Sequence, residues 1–447
     1  MPTIDVVNPA TGELLEAIPA GDDAAADTAV RAARAAQPPW GRLDAAARAA
    51  ALKSGARRLR DHLDELAGLQ SAEGGKPLED SRAGVEAGIG AVEQYAELGP
   101  LHRGRALVGG WSATDVMVHE PRGVVGLLVP WNDPVAIALQ GIAAALVVGN
   151  TVVFKPSEKT PLSGRRIAEL LGLGPGVLTL LLGDARAGRP LAAHPGVDVV
   201  MHTGSVATGR EIASVCARDL RKALLELGGK DALIVDAGVD PEWAAEQAAT
   251  GAFANAGQIC TAVERIYVHE AVAEPFVAAL GRRARETEIG PLIDEGQRAL
   301  VHRHVSEAVQ GGAQVVTGGE PGDGPGTFYP PTVLVGVDDS MTVMREETFG
   351  PVAPVRVVES FDEALAAANA TKYGLAAAVL TPSEAHAQRA WRELQAGTVK
   401  VNAVFGGAPG GAAHPRKASG TGFGYGPELL DELTVTKAVH VEPAPGS

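Results

Sequence analysis

Cysteine is scarce in this chain: Cys216 and Cys260 are the two among 447 residues. Two thiols build neither a disulfide framework nor a cysteine metal cluster, so a reducing, cytoplasmic setting is expected and no metal site is. Basic charge is also short, with 39 Lys and Arg against 54 Asp and Glu and a formal net charge of -15. DNA, RNA and anionic membranes each need a basic footprint, so no nucleic acid or membrane is expected as a partner. Aromatic residues make up only 4% of the chain. Long apolar runs are missing too: the longest, Val135 to Gly149, is about fifteen residues, contains Gln140 and is too short to span a bilayer. Met1 to Val7 lacks the basic region and apolar stretch of an export signal.

What is present is the composition of a soluble globular protein, 46% hydrophobic and 21% charged, long enough for two or three domains. Asp22 to Leu69 has helical spacing of its apolar residues, broken at Gln37-Pro38-Pro39-Trp40-Gly41, which predicts two amphipathic helices. Ser81 to Leu98 predicts another. Thr114 to Glu120 alternates like a strand and reads as half of a hairpin.

From Gly123 the text reads strand, helix, strand, helix. Val124 to Val129, Thr151 to Phe154, Val177 to Leu182 and Val197 to Met201 are the strands; helices follow from Val135 and over Leu162 to Leu171. Continuous apolar strands of this kind are buried on both faces of a parallel sheet, so the fold class is α/β, with a Rossmann-like doubly wound region whose strand ends should bind ligands. A second α/β alternation starts near Leu225 and runs to about Val401. Residues 318–328, rich in glycine, read as a loop. Leu433 to Val441 is a strand without an obvious local partner, and such a strand completes a sheet elsewhere or in another subunit.

Several stretches have compositions that a core does not explain. Cys260 lies among small and amide residues, Gly251 to Thr261, a setting for a nucleophile or simply for a small core residue. Lys155, Ser157 and Glu158 follow a buried strand, where a carboxylate can accept the hydroxyls of a ribose; a solvated helix start explains them equally. Gly204, Ser205 and Thr208 open a helix whose N-terminus can hold a pyrophosphate, or form a tight turn. Glu226 sits in an apolar strand end before Gly228 and Gly229, where burial would raise its pKa toward that of a general base; pairing with Lys230 is the alternative. Asn132 can donate to an oxyanion, or cap the next helix.

The ordered set Pro130-Trp131-Asn132, Phe154-Lys155-Pro156-Ser157-Glu158, Thr203-Gly204-Ser205, Glu226-Leu227-Gly228-Gly229-Lys230, Gly257-Gln258-Ile259-Cys260 and Glu346-Glu347-Thr348-Phe349-Gly350-Pro351-Val352 resembles the aldehyde dehydrogenase superfamily from about Val7 to Val441. The resemblance implies Cys260 as nucleophile, Glu226 as general base, and Asn132 with the Cys260 backbone N–H as oxyanion hole. It implies a nicotinamide cofactor held by Trp131, Lys155, Ser157, Glu158, Gly204, Ser205, Thr208, Gly228, Glu347 and Phe349. Glu158 favours NAD over NADP, because a carboxylate repels a 2′-phosphate. The implied substrate is a small-molecule aldehyde in a tunnel lined by Asp133, Ile137, Gln140, Ile259, Thr261 and Ala413. The implied organisation is an NAD-binding domain (1–102 and 122–226), a catalytic α/β domain (227–424) and a small β oligomerisation domain (103–121 and 425–447), in a homodimer or homotetramer. Asn402 is expected to be structural.

Three departures from the family pattern bear on the substrate. Asp133 stands where an aromatic residue is usual, and either makes the tunnel mouth polar or caps the next helix. Gly410-Gly411-Ala412-Ala413-His414-Pro415-Arg416 replaces a Pro-aromatic-Gly-Gly segment, and the chain between Arg285 and Gly290 is about ten residues short, a loop deletion compact domains tolerate. A semialdehyde dehydrogenase, succinic-semialdehyde-like or CoA-acylating, and a thiol hydrolase are the alternatives. A CoA-acylating enzyme generally lacks the base at Glu226, and a hydrolase has no use for Lys155, Glu158 or Glu347.

Overall fold

The computed structural model describes residues 3–408 and 410–444; the ends of the chain assigned above extend beyond them. It contains two large sheets and two small ones. The first large sheet has six strands in the order Gly420–Thr421, Lys222–Glu226, Val199–Thr203, Val124–Leu128, Thr151–Lys155 and Leu178–Leu180, all parallel except the two-residue edge. Val124–Leu128 and Thr151–Lys155 are buried at every position, as expected of central strands covered by helices on both faces. The apolar helix Pro134–Val147 lies on one face and packs along Leu78–Leu98.

The second large sheet has seven strands: Gln314–Thr317, Thr332–Val335, Val352–Val358, Val263–His269, Asp231–Val235, Ala376–Leu380 and Thr398–Val401. One pair, Gln314–Thr317 with Thr332–Val335, is antiparallel. Residues 318–328 between them form the expected loop. The C-terminal strand Thr434–Val441 finds its partner within the chain: it pairs antiparallel over eight residues with Thr114–Pro121, whose other edge takes Arg105–Leu107.

Two local expectations are corrected. Asp22 to Leu69 forms parts of three helices, Asp23–Gly41, Ala45–Asp61 and Leu63–Gly74, and the first break falls after Pro38-Pro39. Both prolines sit in the last turn, which is anchored by the buried Trp40, its indole N–H donating to the Leu146 carbonyl at 3.0 Å. Tertiary anchoring thus outweighs the loss of proline N–H groups near a helix end. The N-terminal hairpin Thr3–Val7 with Leu14–Pro19 was not anticipated; its turn is held by Asn8, whose side chain accepts from Ala10 N–H at 2.8 Å.

Candidate active site

Cys260 follows a turn whose backbone is strongly constrained. Asn255, Ala256 and Gly257 all have positive φ, 49°, 54° and 71°. A Cβ on Gly257 would collide with the Gly350 carbonyl, so only glycine fits there. The buried Gln258 pins the turn: its amide donates to the carbonyls of Asn255 (3.2 Å) and Pro291 (3.3 Å), and its Oε1 accepts from Ile293 N–H at 2.9 Å. Left-handed alanine and asparagine each cost on the order of 1 kcal/mol, and they persist here because these bonds over-determine the loop.

Asn132 reaches this turn from the end of the first sheet. Its Nδ2 donates to the Gln258 carbonyl at 3.0 Å, and its own carbonyl accepts from Asn255 Nδ2 at 3.3 Å. The helix-capping alternative for Asn132 is therefore excluded. An amide nitrogen has two protons, and this bond uses one of them; Asn132 itself is not among the residues lining the pocket that holds Cys260. Asp133 occupies the cap position, but its side chain makes no capping bond and pairs with Lys76 at 3.3 Å.

Glu226 ends its strand facing Cys260 across a pocket of about 220 Å³. Lys230 does not pair with it: that ammonium is fully buried against Glu264 at 2.6 Å. Glu226 instead accepts one hydrogen bond, from Gly424 N–H at 2.9 Å. Burial pushes its carboxyl up to about 8, against the lowering effect of that bond. Cys260 is half-buried, and the protein around it pushes the thiol up to about 12, reinforced by Asp231, Glu226 and Glu347. Ile137, Gln140, Thr261 and Ala413 line this pocket, while Asp133 and Ile259 do not. A second hollow of about 320 Å³, bordered by Gln94, Tyr95, Gly406, Gly407, Gly410 and Gly411, shares Gln140 and Tyr425 with it and so adjoins it.

On the other side of His202 and Thr203 lies a cleft of about 860 Å³ at the carboxyl ends of the first sheet. Trp131, Lys155, Ser157, Glu158, Gly204, Ser205 and Thr208 all line it. Lys155 is buried, its ammonium donating to the carbonyls of Pro156 (2.8 Å) and Gly183 (2.7 Å) and lying 4.0 Å from the exposed Glu158 carboxylate; burial lowers its pKa. Ser205 caps the helix Val206–Arg218, accepting from Thr208 N–H at 3.3 Å. Neither ring nitrogen of His202 makes a hydrogen bond of good geometry, and burial with Lys155 nearby lowers its pKa to about 4, against the raising effect of the Leu128 backbone.

Gly228, Glu347 and Phe349 do not line the cleft but stand beside it. Glu347 Oε1 accepts from Gly229 N–H at 3.0 Å, and its carboxylate occupies the space that a Cβ on Gly228 would fill. Burial raises its pKa to about 8. Phe349, itself at φ 52°, meets Trp131 edge-on with centroids 5.4 Å apart. Residues that sequence reasoning missed hold this loop: Glu264 accepts from Thr348 N–H and Phe349 N–H, both at 2.8 Å, and Gln297 donates to the carbonyls of both at 2.9 Å. A lone glutamate inside an apolar strand, Val263–His269, was the available signal. Asn402 is structural, its Oδ1 accepting from Thr381 N–H at 2.9 Å.

A doubly wound sheet with a nucleotide-sized cleft at its strand ends, opening beside a thiol and a carboxyl raised by burial, defines a dinucleotide-dependent class of α/β enzyme. The chain belongs to the aldehyde dehydrogenase family, whose profile matches residues 2–439. It is 38% identical to a 3,6-anhydro-alpha-L-galactose dehydrogenase of Streptomyces coelicolor, covering 99% of this chain and 94% of that protein. It is 37% identical to a betaine aldehyde dehydrogenase of Vibrio vulnificus, covering 98% and 93%. Among solved structures it superposes on lactaldehyde dehydrogenase from Escherichia coli with a TM-score of 0.96 at 34% identity, covering 99% and 96%. A betaine aldehyde dehydrogenase from Staphylococcus aureus in complex with NAD+ gives 0.96 at 33%, covering 100% and 93%. An NADP dependent enzyme of E. coli also gives 0.96 at 33%, covering 99% and 95%. The family is one of oxidoreductases, and its members here support a nicotinamide cofactor.

Proposed function

We propose that this protein oxidises a small neutral aldehyde to its carboxylic acid, with NAD as hydride acceptor and Cys260 as nucleophile. The observation that carries the reading is Glu226, half-buried across one pocket from Cys260, paired with no cation among the described residues and raised to about 8. The residues present fit the cofactor: the cleft pairs an exposed carboxylate and a buried ammonium for the ribose with a helix N-terminus for the pyrophosphate. When bound, the nicotinamide ring supplies the hydride acceptor.

Cys260 first gives up its thiol proton to solvent; the thiolate Sγ then attacks the aldehyde carbon, the C=O π pair moves to oxygen, and that oxygen carries the negative charge. The free proton of Asn132 Nδ2 and the Cys260 backbone N–H hold that oxygen, one such donor being worth about 3 kcal/mol. After oxidation the acyl group stays on Cys260 as a thioester. Glu226 takes a proton from water, the water attacks the thioester carbon, and the acid departs with the thiol restored. A water-activating base favours hydrolysis over transfer to CoA.

The pocket supports a neutral substrate. It is lined by Leu127, Ile137, Met201 and Leu375 with Thr261, Thr398 and Tyr425, and holds no Lys or Arg to pair with a substrate carboxylate. A succinic-semialdehyde-like substrate therefore lacks a counter-charge, and Tyr425 alone makes no aromatic cage for a quaternary ammonium. Glu158 in the cleft wall favours NAD, which a comparison of kcat/KM for the two cofactors tests. The three-stranded sheet, with Trp111, Val108 and Val441 exposed near it, supports its reading as the oligomerisation domain of a homodimer or homotetramer. The six- and seven-stranded sheets support the reading as NAD-binding and catalytic domains. The scarcity of cysteine supports a cytoplasmic setting; no helix among the described residues is long and apolar enough to cross a membrane.

The deciding experiment is Glu226→Gln in rapid mixing with aldehyde and NAD. A burst of reduced nicotinamide of one equivalent, followed by turnover slowed by a factor on the order of a thousand, is expected. No burst despite normal aldehyde binding overturns the assignment of Glu226 to deacylation.

A further inference from the structure

Outside the residues lining the thiol pocket, the described residues bring two imidazoles and a carboxylate together from three separate elements. His102 follows the turn Gly99–Leu101, His119 lies in the strand Thr114–Pro121, and Asp431 in the helix Glu428–Glu432. One ligand atom from each lies within 4.8 Å of the others. The two rings are 4.3 Å apart between centroids, tilted by 31°.

The hydrogen bonds fix which nitrogen of His102 is free. Thr434 has one hydroxyl proton and donates it to the Leu430 carbonyl at 2.9 Å. Toward His102 Nε2, 3.2 Å away, the Thr434 oxygen can then only accept, so Nε2 carries the ring proton and Nδ1 is a bare lone pair. That lone pair faces Asp431 Oδ1 at 3.7 Å. Two acceptors pointed at each other call for a cation between them. Neither ring nitrogen of His119 makes a hydrogen bond to another described residue, so this imidazole has a lone pair to contribute as well.

We propose that His102, His119 and Asp431 bind a divalent transition-metal ion of the zinc class, with Thr434 as the outer partner that orients His102. Two imidazole nitrogens and one carboxylate oxygen suit zinc, nickel or copper, and do not suit magnesium or calcium, which require oxygen ligands. Asp431 is exposed, so the fourth position is open to water. The ion ties the end of the Leu78–Leu98 helix and the middle strand of the three-stranded sheet to the helix that leads into the C-terminal strand. No ligand spacing in the sequence announces this site, because Asp431 lies more than three hundred positions from the two histidines.

The test uses the full chain carrying Cys260→Ser, which removes the half-buried soft ligand of the active site, after stripping with a chelator. Titration with zinc chloride in a calorimeter is expected to show one equivalent bound at micromolar concentration, and a raised melting temperature that magnesium chloride does not produce. His119→Asn and Asp431→Asn, placed in that background, each weaken zinc binding at least about tenfold and abolish the melting shift. Asp431 is at the surface, so Asp431→Asn decides the matter should His119→Asn not fold. Absence of zinc binding, which a protonated His102 paired with Asp431 would give, overturns the proposal. So does zinc binding undiminished by the substitutions.

Discussion

Behind Cys260 the protein is tied by buried polar bonds: Lys230 to Glu264, Glu264 to the backbone of Thr348 and Phe349, Gln258 to three loop positions. In the adjoining hollow, which we propose as the mouth of the same pocket, the chain is nearly bare. Gly406 and Gly407 have positive φ, 98° and 152°, and a Cβ added at either would meet nothing within 4 Å. The wall behind the thiol is thus held by contacts that cannot shift singly, whereas the adjoining hollow is shaped by chain that touches little. On the proposed function, reaction and substrate preference can therefore change independently.

The largest effect expected from this contrast is Glu264→Gln. It leaves the Lys230 ammonium buried without its charge partner and weakens the hold on Thr348 and Phe349, a loss of about 3–5 kcal/mol in urea unfolding. A loss below about 1 kcal/mol would show that the back wall is not braced as described. Asn132→Ala should lower kcat by about a hundredfold or more with aldehyde affinity little changed. An equal fall in affinity would assign Asn132 to shaping the turn alone.

The pH dependence is of intermediate size. Glu226 and Glu347 have folded values of about 8, above the usual carboxyl range. Below that usual range both folded and unfolded states are protonated; between it and about 8 the folded protein keeps protons that the unfolded chain has lost. Stability therefore falls as pH rises through this window, by roughly 1.4 kcal/mol per pH unit for each group in full effect. Thermal melts of the cofactor-free protein from pH 5 to 8 should show this fall, reduced in Glu226→Gln. Turnover has the opposite slope, because the base acts only when ionised: a rising limb centred near 8 is expected, and a flat profile would count against it. The smallest effect belongs to the mouth. Gly406→Ala should cost about 1 kcal/mol from its left-handed φ and leave the burst with a small aldehyde unchanged.

The strands of the first sheet were legible because burial on both faces writes continuous apolar runs, and the cleft residues because they follow those runs. Glu264 was not, since a single carboxylate within a strand does not say which distant N–H groups it meets. Nor was Gly424, which supplies the one hydrogen bond to Glu226 from a segment 198 positions later. The turn of Asp133 toward Lys76 was hidden for the same reason: either orientation satisfies the local text, and only packing against the Leu78–Leu98 helix selects one. The prolines at 38 and 39 misled because the cost of a proline depends on its place in the helix, and Trp40 sets that place.

The two-residue edge Gly420–Thr421 has a consequence for how the protein is made. It pairs with Lys222–Glu226 and leads directly to Gly424, so the six-stranded sheet lacks its outer strand until almost the whole chain has left the ribosome. The C-terminal strand imposes the same wait on Thr114–Pro121. Contacts that close over such sequence separations form late and slow folding, and they leave strand edges exposed in the growing chain. Nascent protein should accordingly accumulate an inactive, chaperone-binding intermediate, with activity appearing only after release of the full-length chain.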